Sequence, residues 1–315
     1  MINGNSVNFQ FAKETSYATG VQPDVKLTIS SESLNDNYNK TPEGLLTGGI
    51  GGGASETMEV SAEGDFATLA KPTSLGYILK GVFGVEEVEP DEDKFKHVFT
   101  PVGNAENDFL PSWSITVDRK AAVKRYLGMV FNTLGISAPA GDRAQVTVST
   151  LGYDIEPGTT ENLTDTGDSE KSFKFRHGKV KLHGADFADV TSIGFDYNNN
   201  CDNSVQTTET GKHHKQPQPG QREASMNLEV LYSSASEALR DGYWVEDATM
   251  AVEVTFTDDA GNVLIIELPK AQITDMGQAN ASGADTMRQS VTISAIDNPE
   301  AFARVTLVNS REEEY

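Results

Sequence analysis

The sequence predicts a mainly β protein: a β-sandwich or barrel domain with a short flanking helix, duplicated in tandem. Three observations carry this. Most regular segments alternate apolar and polar residues with period two and are rich in Val, Ile and Thr. Helical patterning is confined to two short stretches, one in each half. The elements also keep the same order in both halves, which is how an internal repeat reads.

Residues 1–26 lack a basic start and an apolar run, so they are expected to be an arm and not a signal peptide. A first β domain is expected at 27–155. "LLTGGIGGGASETMEV", Leu45 to Val60, has the glycine density of a phosphate loop, with Gly48 and Gly53 at the right spacing, but Ala54 stands where the Lys is required. The residues after the glycines alternate as a strand, with Met58 and Val60 on one face and Glu59 on the other, where a phosphate loop must open a helix. A glycine loop leading into a strand is the better reading. "PTSLGYILKGVFG" (Pro72 to Gly84) reads as a short amphipathic helix. The acidic runs Glu86 to Asp93 and Asp154 to Glu170 carry Pro or Gly without an apolar period and read as loops. Strands are expected at Pro111–Arg119, Tyr126–Pro139 and Ala144–Asp154.

A connecting segment, 156–185, holds the one strongly basic stretch, Lys171 to Gly184. It alternates around a His-Gly turn, Phe173 and Phe175 against Lys174 and Arg176, then Val180 and Leu182 against Lys179 and Lys181. Such a face is either solvated or meets an acidic neighbour in an assembly. The second domain, 186–315, repeats the pattern: strand Ala224–Tyr232, helix Ser234–Trp244, strands Ala248–Ile273 folded at the turn "DDAGN", and strand Gln289–Asp297. Met58-Glu59-Val60 and "QVTVS" of the first half match Leu228-Glu229-Val230 and "SVTIS" of the second.

Composition restricts function. With 47 acidic and 25 basic residues the net charge is −22, which repels DNA phosphates and disfavours tight nucleic-acid binding. No apolar run is long enough to span a membrane as a helix. The single cysteine, Cys201, permits no internal disulfide, and the His213/His214 loop has no ligand-type spacing for a metal. No nucleophile elbow is present, and carboxylate pairs are too frequent in so acidic a chain to mark a catalytic site. No enzyme, cofactor or metal site is therefore expected.

"ETSYAT" (Glu14 to Thr19), the Leu45–Gly84 stretch and "LPSWSITVDRKAAVKRYLGMVFNTLGISAPAGDRAQVTVSTLGYD" (Leu110 to Asp154) resemble the tail tube proteins of long-tailed, siphovirus-type bacteriophages. The resemblance is good over the first half and in outline over the second. It implies a structural virion protein, made in the host cytoplasm, whose rings stack into the conduit for DNA ejection. Its partners would be further copies of itself and other tail proteins (tape measure, tail tip and terminator), with DNA passing through unbound. If one chain holds two tube domains, three chains complete a pseudo-sixfold ring, which is favoured over a hexamer. Six domains of four strands at ~4.8 Å and ~40° tilt give a backbone diameter of about 48 Å, wide enough for duplex DNA. Glu59, Glu229 and Glu253 are the expected lumen-facing acids. Gly48, Gly51, Gly53, Lys174, Arg176, Lys179 and Lys181 are the expected contacts between subunits or rings. The alternative is a carbohydrate- or receptor-binding β-sandwich, which the scarcity of Trp, only Trp113 and Trp244, disfavours.

Overall fold

The computed structural model describes residues 3–44, 51–103, 105, 108–167, 169–279, 286–298 and 302–315. It is mainly β, 52% strand and 10% helix, and builds a β-sandwich. The first half runs β1 (Asn8–Lys13), β2 (Val25–Leu27), β3 (Ser31–Glu32), β4 (Asn35–Pro42), β5 (Ser55–Leu69), α1 (Pro72–Phe83), β6 (Gly84–Asp91), β7 (Lys94–Pro101), β8 (Ser112–Asp118), β9 (Val123–Pro139), β10 (Gln145–Gly152) and β11 (Asp154–Pro157). The second runs β12 (Gly178–Leu182), β13 (Ala185–Asp186), β14 (Val190–Asn198), β15 (Glu223–Leu231), α2 (Ser234–Leu239), β16 (Thr249–Thr257), β17 (Val263–Met276), β18 (Arg288–Ala295) and β19 (Arg304–Asn309).

The two halves share their connectivity. The pairings β1·β8, β4·β5, β5·β10, β8·β9 and β9·β10 have counterparts in β12·β16, β14·β15, β15·β18, β16·β17 and β17·β18, all antiparallel. Long β9 and β17 each pass between two layers at an irregularity in register, pairing with β8 or β16 at one end and with β10 or β18 at the other. The halves interlock, because β14 pairs with β9 and β19 pairs with β7. The stretch expected as an N-terminal arm contributes β1, held between β2 and β8.

The core lies between the layers, filled by aromatic and branched side chains such as Phe66, Trp113, Phe131 and Phe195, each no more than 1% exposed. Helix α1 closes it against β9, β7 and β19. Its N-terminus has no cap from its own flank; instead Thr73 donates its backbone N–H to Glu170 at 2.8 Å, so the connecting segment supplies the anion that an N-terminus favours. The helix ends at Gly84, whose φ of 84° suits a residue without Cβ. The second helix carries a Ser233/Ser236 capping box and runs into a π turn over Arg240–Trp244.

Four local expectations are corrected. The acidic run Glu86 to Asp93 is strand β6 and the turn into β7, not a loop; Glu86 turns inward, 2.8 Å from His97 and 3.3 Å from Lys80, and the hairpin is fixed by distant β19. In the second acidic run, Asp154–Pro157 is strand β11. Only the second arm of the basic stretch is a strand, because Phe173 is bonded to Ala70 and Ala144 and the chain then makes a 3-10 turn at Phe175–His177. Met58 does not share the packed face of Val60: the β4·β5 register shifts beside Asn39, leaving Met58 52% exposed and Val60 buried.

Candidate functional site

Pairing β9 with β14 fuses the layers of both halves into one wide sheet, with the order β3–β4, β5, β10, β9, β14, β15, β18, β17. Side chains alternate across it. Val148, Leu134, Phe195, Leu228 and Ile293 point into the core, and their neighbours in sequence point away from it.

The outward face is small, polar and self-satisfied. Thr133 and Ser149 hydroxyls meet at 2.6 Å, Asn227 donates to Asp196 at 2.7 Å, Thr292 donates to Asn227 at 3.0 Å, and Thr274 and Ser294 meet at 2.8 Å. Its carboxylates run from Asp65 in β5 to Asp196 and Glu229 in the middle. Two of its cations are Arg288, 3.0 Å from Glu229, and Arg222, which lines the face beside Asp196, Ser225 and Ser294. Glu229 also accepts from the Thr191 hydroxyl at 2.7 Å. That hydrogen bond, followed by Arg288, holds its carboxyl below the usual range, while partial burial raises that of Asp196. No group of three His, Cys, Asp or Glu side chains among the described residues is placed to hold a metal.

The expected lumen acids do not share one environment. Glu229 lies on the wide polar face. Glu59 lies on β5 beyond the reach of β10, where the 199–222 loop covers it: His214 stands 3.0 Å away, and Val60 donates its N–H to Lys212. Glu253 lies on β16 in the other layer, paired at 2.8 Å with Lys181. The match of Glu59 with Glu229 also fails in register. Val146 of β10 faces Thr68 and its counterpart Val291 of β18 faces Leu228, so the residue in the place of Glu229 is Leu69. The "QVTVS" and "SVTIS" match holds, since β10 and β18 each lie between the counterpart strands.

Among the expected contact residues, Gly48 lies outside the described residues. Gly51 and Gly53 are exposed and precede β5 at the end of a projecting hairpin. Lys174 bridges to Arg143, Arg176 is 3.5 Å from Asp259, and Lys179 is exposed. His213, read as part of a surface loop, stacks on Tyr153 at 4.3 Å and lies 3.4 Å from Asp154, while His214 is buried.

The broad sheet face has its donors and acceptors bonded to each other, as in a wall, and a concavity lined by Thr133, Asp196, Arg222 and Ser294 opens on it; the fold and the face suit a structural β protein. A family model described as phage tail tube protein matches residues 4–295, and the chain belongs to that family. It is a structural component of the phage tail tube, and so of the virion tail, associating with itself and with other tail proteins. No curated protein matches the chain.

Proposed function

We propose that three copies of the chain close into a pseudo-sixfold ring whose inner wall is the wide polar face, and that stacked rings form the conduit through which DNA leaves the particle. The observation that carries this is the β9·β14 joint. Inside one chain it fastens the last inner strand of the first half to the first inner strand of the second, Asn198 opposite Thr133 and Phe195 opposite Ile136. The two ends of the same sheet, β3–β4 and the C-terminal part of β17, are the counterparts of those strands and lack that partner among the described residues. Repeating the joint between copies sets residues 31–35 of one chain against 272–277 of the next. Eight inner strands per chain then give 24 per ring, the number whose circumference encloses a lumen of roughly 38 Å.

The expected units 27–155 and 186–315 are extended in this reading by β1 and β12, which lie in the expected arm 1–26 and connecting segment 156–185 but pair with β8 and β16. The face suits DNA passage because its fixed carboxylates repel phosphates and disfavour sites at which a duplex would stick. A symmetry-resolved electron-microscopy map of tubes from the purified chain, or from virions carrying it, tests the proposal. Three chains and 24 inner strands are expected; six whole copies per ring, or a lumen lined by the other layer, would overturn it.

A further inference from the structure

The segment after β19 folds back over α1. Asn309 donates to the Tyr315 hydroxyl at 2.6 Å, and the Tyr315 ring fills the place that a Cβ on Gly76 would take. Arg311 reaches over the rings of Tyr77 and Tyr315, 5.1 and 4.8 Å from their centroids. Residues 310–315 thus form a strap across the helix, and its backbone is fastened at two points. The Tyr315 N–H donates to Glu86 at 3.0 Å, and the Arg311 carbonyl lies 2.8 Å from Nε2 of His97.

The side chains of Glu86, on β6, and His97, on β7, are fully buried. Nδ1 of His97 is 2.8 Å from Oε1 of Glu86, so each ring nitrogen faces an oxygen, a carboxyl on one side and a carbonyl on the other. A neutral imidazole has one N–H and can serve only one of them. Both contacts are hydrogen bonds when the pair holds one proton more than a neutral imidazole and a carboxylate, whichever partner carries it. The other charged groups around the pair are Lys80 of α1, 3.3 Å from Glu86, and Arg311 and Glu314 of the strap, with Glu314 3.7 Å from Lys80. Lys13 of β1 also acts on Lys80, Glu86 and Glu314, and burial followed by Lys80 holds it below the ordinary lysine range. Strand β19 sets Leu307 opposite His97. Tyr315 stays uncharged, since burial raises its phenol far above the ordinary value.

We propose that the Glu86/His97 pair is a proton latch for the strap: with the extra proton in place residues 310–315 are held down on α1, and without it they are released, uncovering a slot formed by Gly76, Tyr77 and Phe99. The latch lies within one chain and is independent of ring assembly. Without the proton, either the Arg311 carbonyl or the Glu86 carboxylate loses its buried donor, which is costly. The closed strap binds a proton that the open strap gives up, so the strap is closed at low pH and opens as pH rises, by up to about tenfold in the opening equilibrium per pH unit.

Amide hydrogen exchange of residues 310–315, corrected for the intrinsic rise of exchange with pH and referenced to the amides of β8 and β9, reads the strap. Imidazole nitrogen shifts of His97 and the carboxyl carbon shift of Glu86, measured by NMR on the same full chain, read the latch. Strap protection is expected to fall about tenfold or more between about pH 6 and about pH 9 while β8 and β9 hold, in step with the loss of one proton from the pair. His97→Gln, whose side chain does not titrate, should expose the strap at every pH and flatten the profile. If that variant lowers the melting point of the whole chain, Glu86→Gln, which keeps an oxygen for Tyr315, replaces it and should flatten the profile as well. Strap protection independent of pH in the wild-type chain, a neutral His97 beside an ionised Glu86 while the strap is closed, or loss of protection in β8 and β9 together with the strap would overturn the latch. So would a wild-type pH profile in His97→Gln.

Discussion

The Ser114 hydroxyl donates to the carboxyl group of Glu14 at 2.8 Å, tying the residue after β1 to the middle of β8. Ser112 donates to the same group at 2.8 Å, and the backbone N–H groups of Gly128 and Ala18 donate at 2.9 Å each. Four donors thus depend on one buried side chain. Glu14→Ala leaves them without an acceptor and should cost on the order of 3 kcal/mol. At this chain size that is a fall of about 4–5 °C in melting temperature, read by calorimetry. Glu14→Gln keeps a carbonyl acceptor and should lose less; equal losses would mean that packing, not hydrogen bonding, is what Glu14 supplies.

Gly81 of α1 faces the ring of Phe131, where an added Cβ would stand 2.3 Å from a ring carbon. Gly81→Ala raises helix propensity yet should destabilise the protein by about 1–3 kcal/mol, since the close approach of α1 to β9 leaves no room for a methyl group. Denaturant titration gives the sign directly. A stabilising outcome would mean that the helix moves away from β9 at little cost.

Burial pushes the Cys201 thiol up from 9.0 to about 12. At pH 8 its thiolate population falls by about three orders of magnitude relative to an ordinary thiol, so iodoacetamide labelling should be slower by on the order of a thousandfold. Labelling in denaturant should proceed at the normal rate. Fast labelling of the folded chain would show that the 199–222 loop opens.

What the sequence made legible is the part in which local pattern and final packing agree. Strands β8, β9, β10, β15, β16, β17 and β18 alternate cleanly, and the turn at Asp258 forms because its carboxylate accepts from Ala260, Asn262 and the Asn262 side chain. Strand β14 shows the same signal, Ile193, Phe195 and Tyr197 alternating with Ser192, Gly194 and Asp196, but it runs into the polar "NNNCDN" and is not among the expected strands. Its consequence was not legible at all: the wide face exists only because β14 pairs with β9, a contact between segments about 60 residues apart in the chain. The acidic strand β6 was hidden for a similar reason, since β7 finds its second partner in β19 at the other end of the sequence. The Glu59/Glu229 match failed because recurring letters do not fix register, which is set by the ladders to β10 and β18.

Glu229 offers a pH prediction. Hydrogen bonding from Thr191 and the charge of Arg288 depress its folded-state pKa. A depressed carboxyl adds stability above its unfolded pKa, and that stability is lost as pH falls through the folded value. Thr191→Val should therefore raise the Glu229 titration midpoint in an NMR experiment and shrink the acid-side loss of stability. The effect on stability should be small, because the pair is solvent-screened. An unchanged midpoint would remove Thr191 as the cause.

The polar face can be tested as the lumen by reversing its charge. Asp65 and Asp196 lie on strands of the first and second halves and point away from the core, so Asp65→Lys with Asp196→Lys should leave the sandwich intact. Each chain then gains two lysines and loses two carboxylates on the face, a net change of about +4 per chain and about +12 per ring of three chains. Lysines on a wall form phosphate contacts, each of which displaces counterions, so binding weakens steeply as salt rises. Particles carrying the variant should eject DNA more slowly at low salt and approach the wild-type rate as salt is added, with tubes of normal appearance throughout. Arg288→Ala should act in the opposite sense or not at all, since it removes the one cation near Glu229. Normal ejection by the lysine variant at low salt, from particles whose tails are fully assembled, would place this face on the outside of the tube.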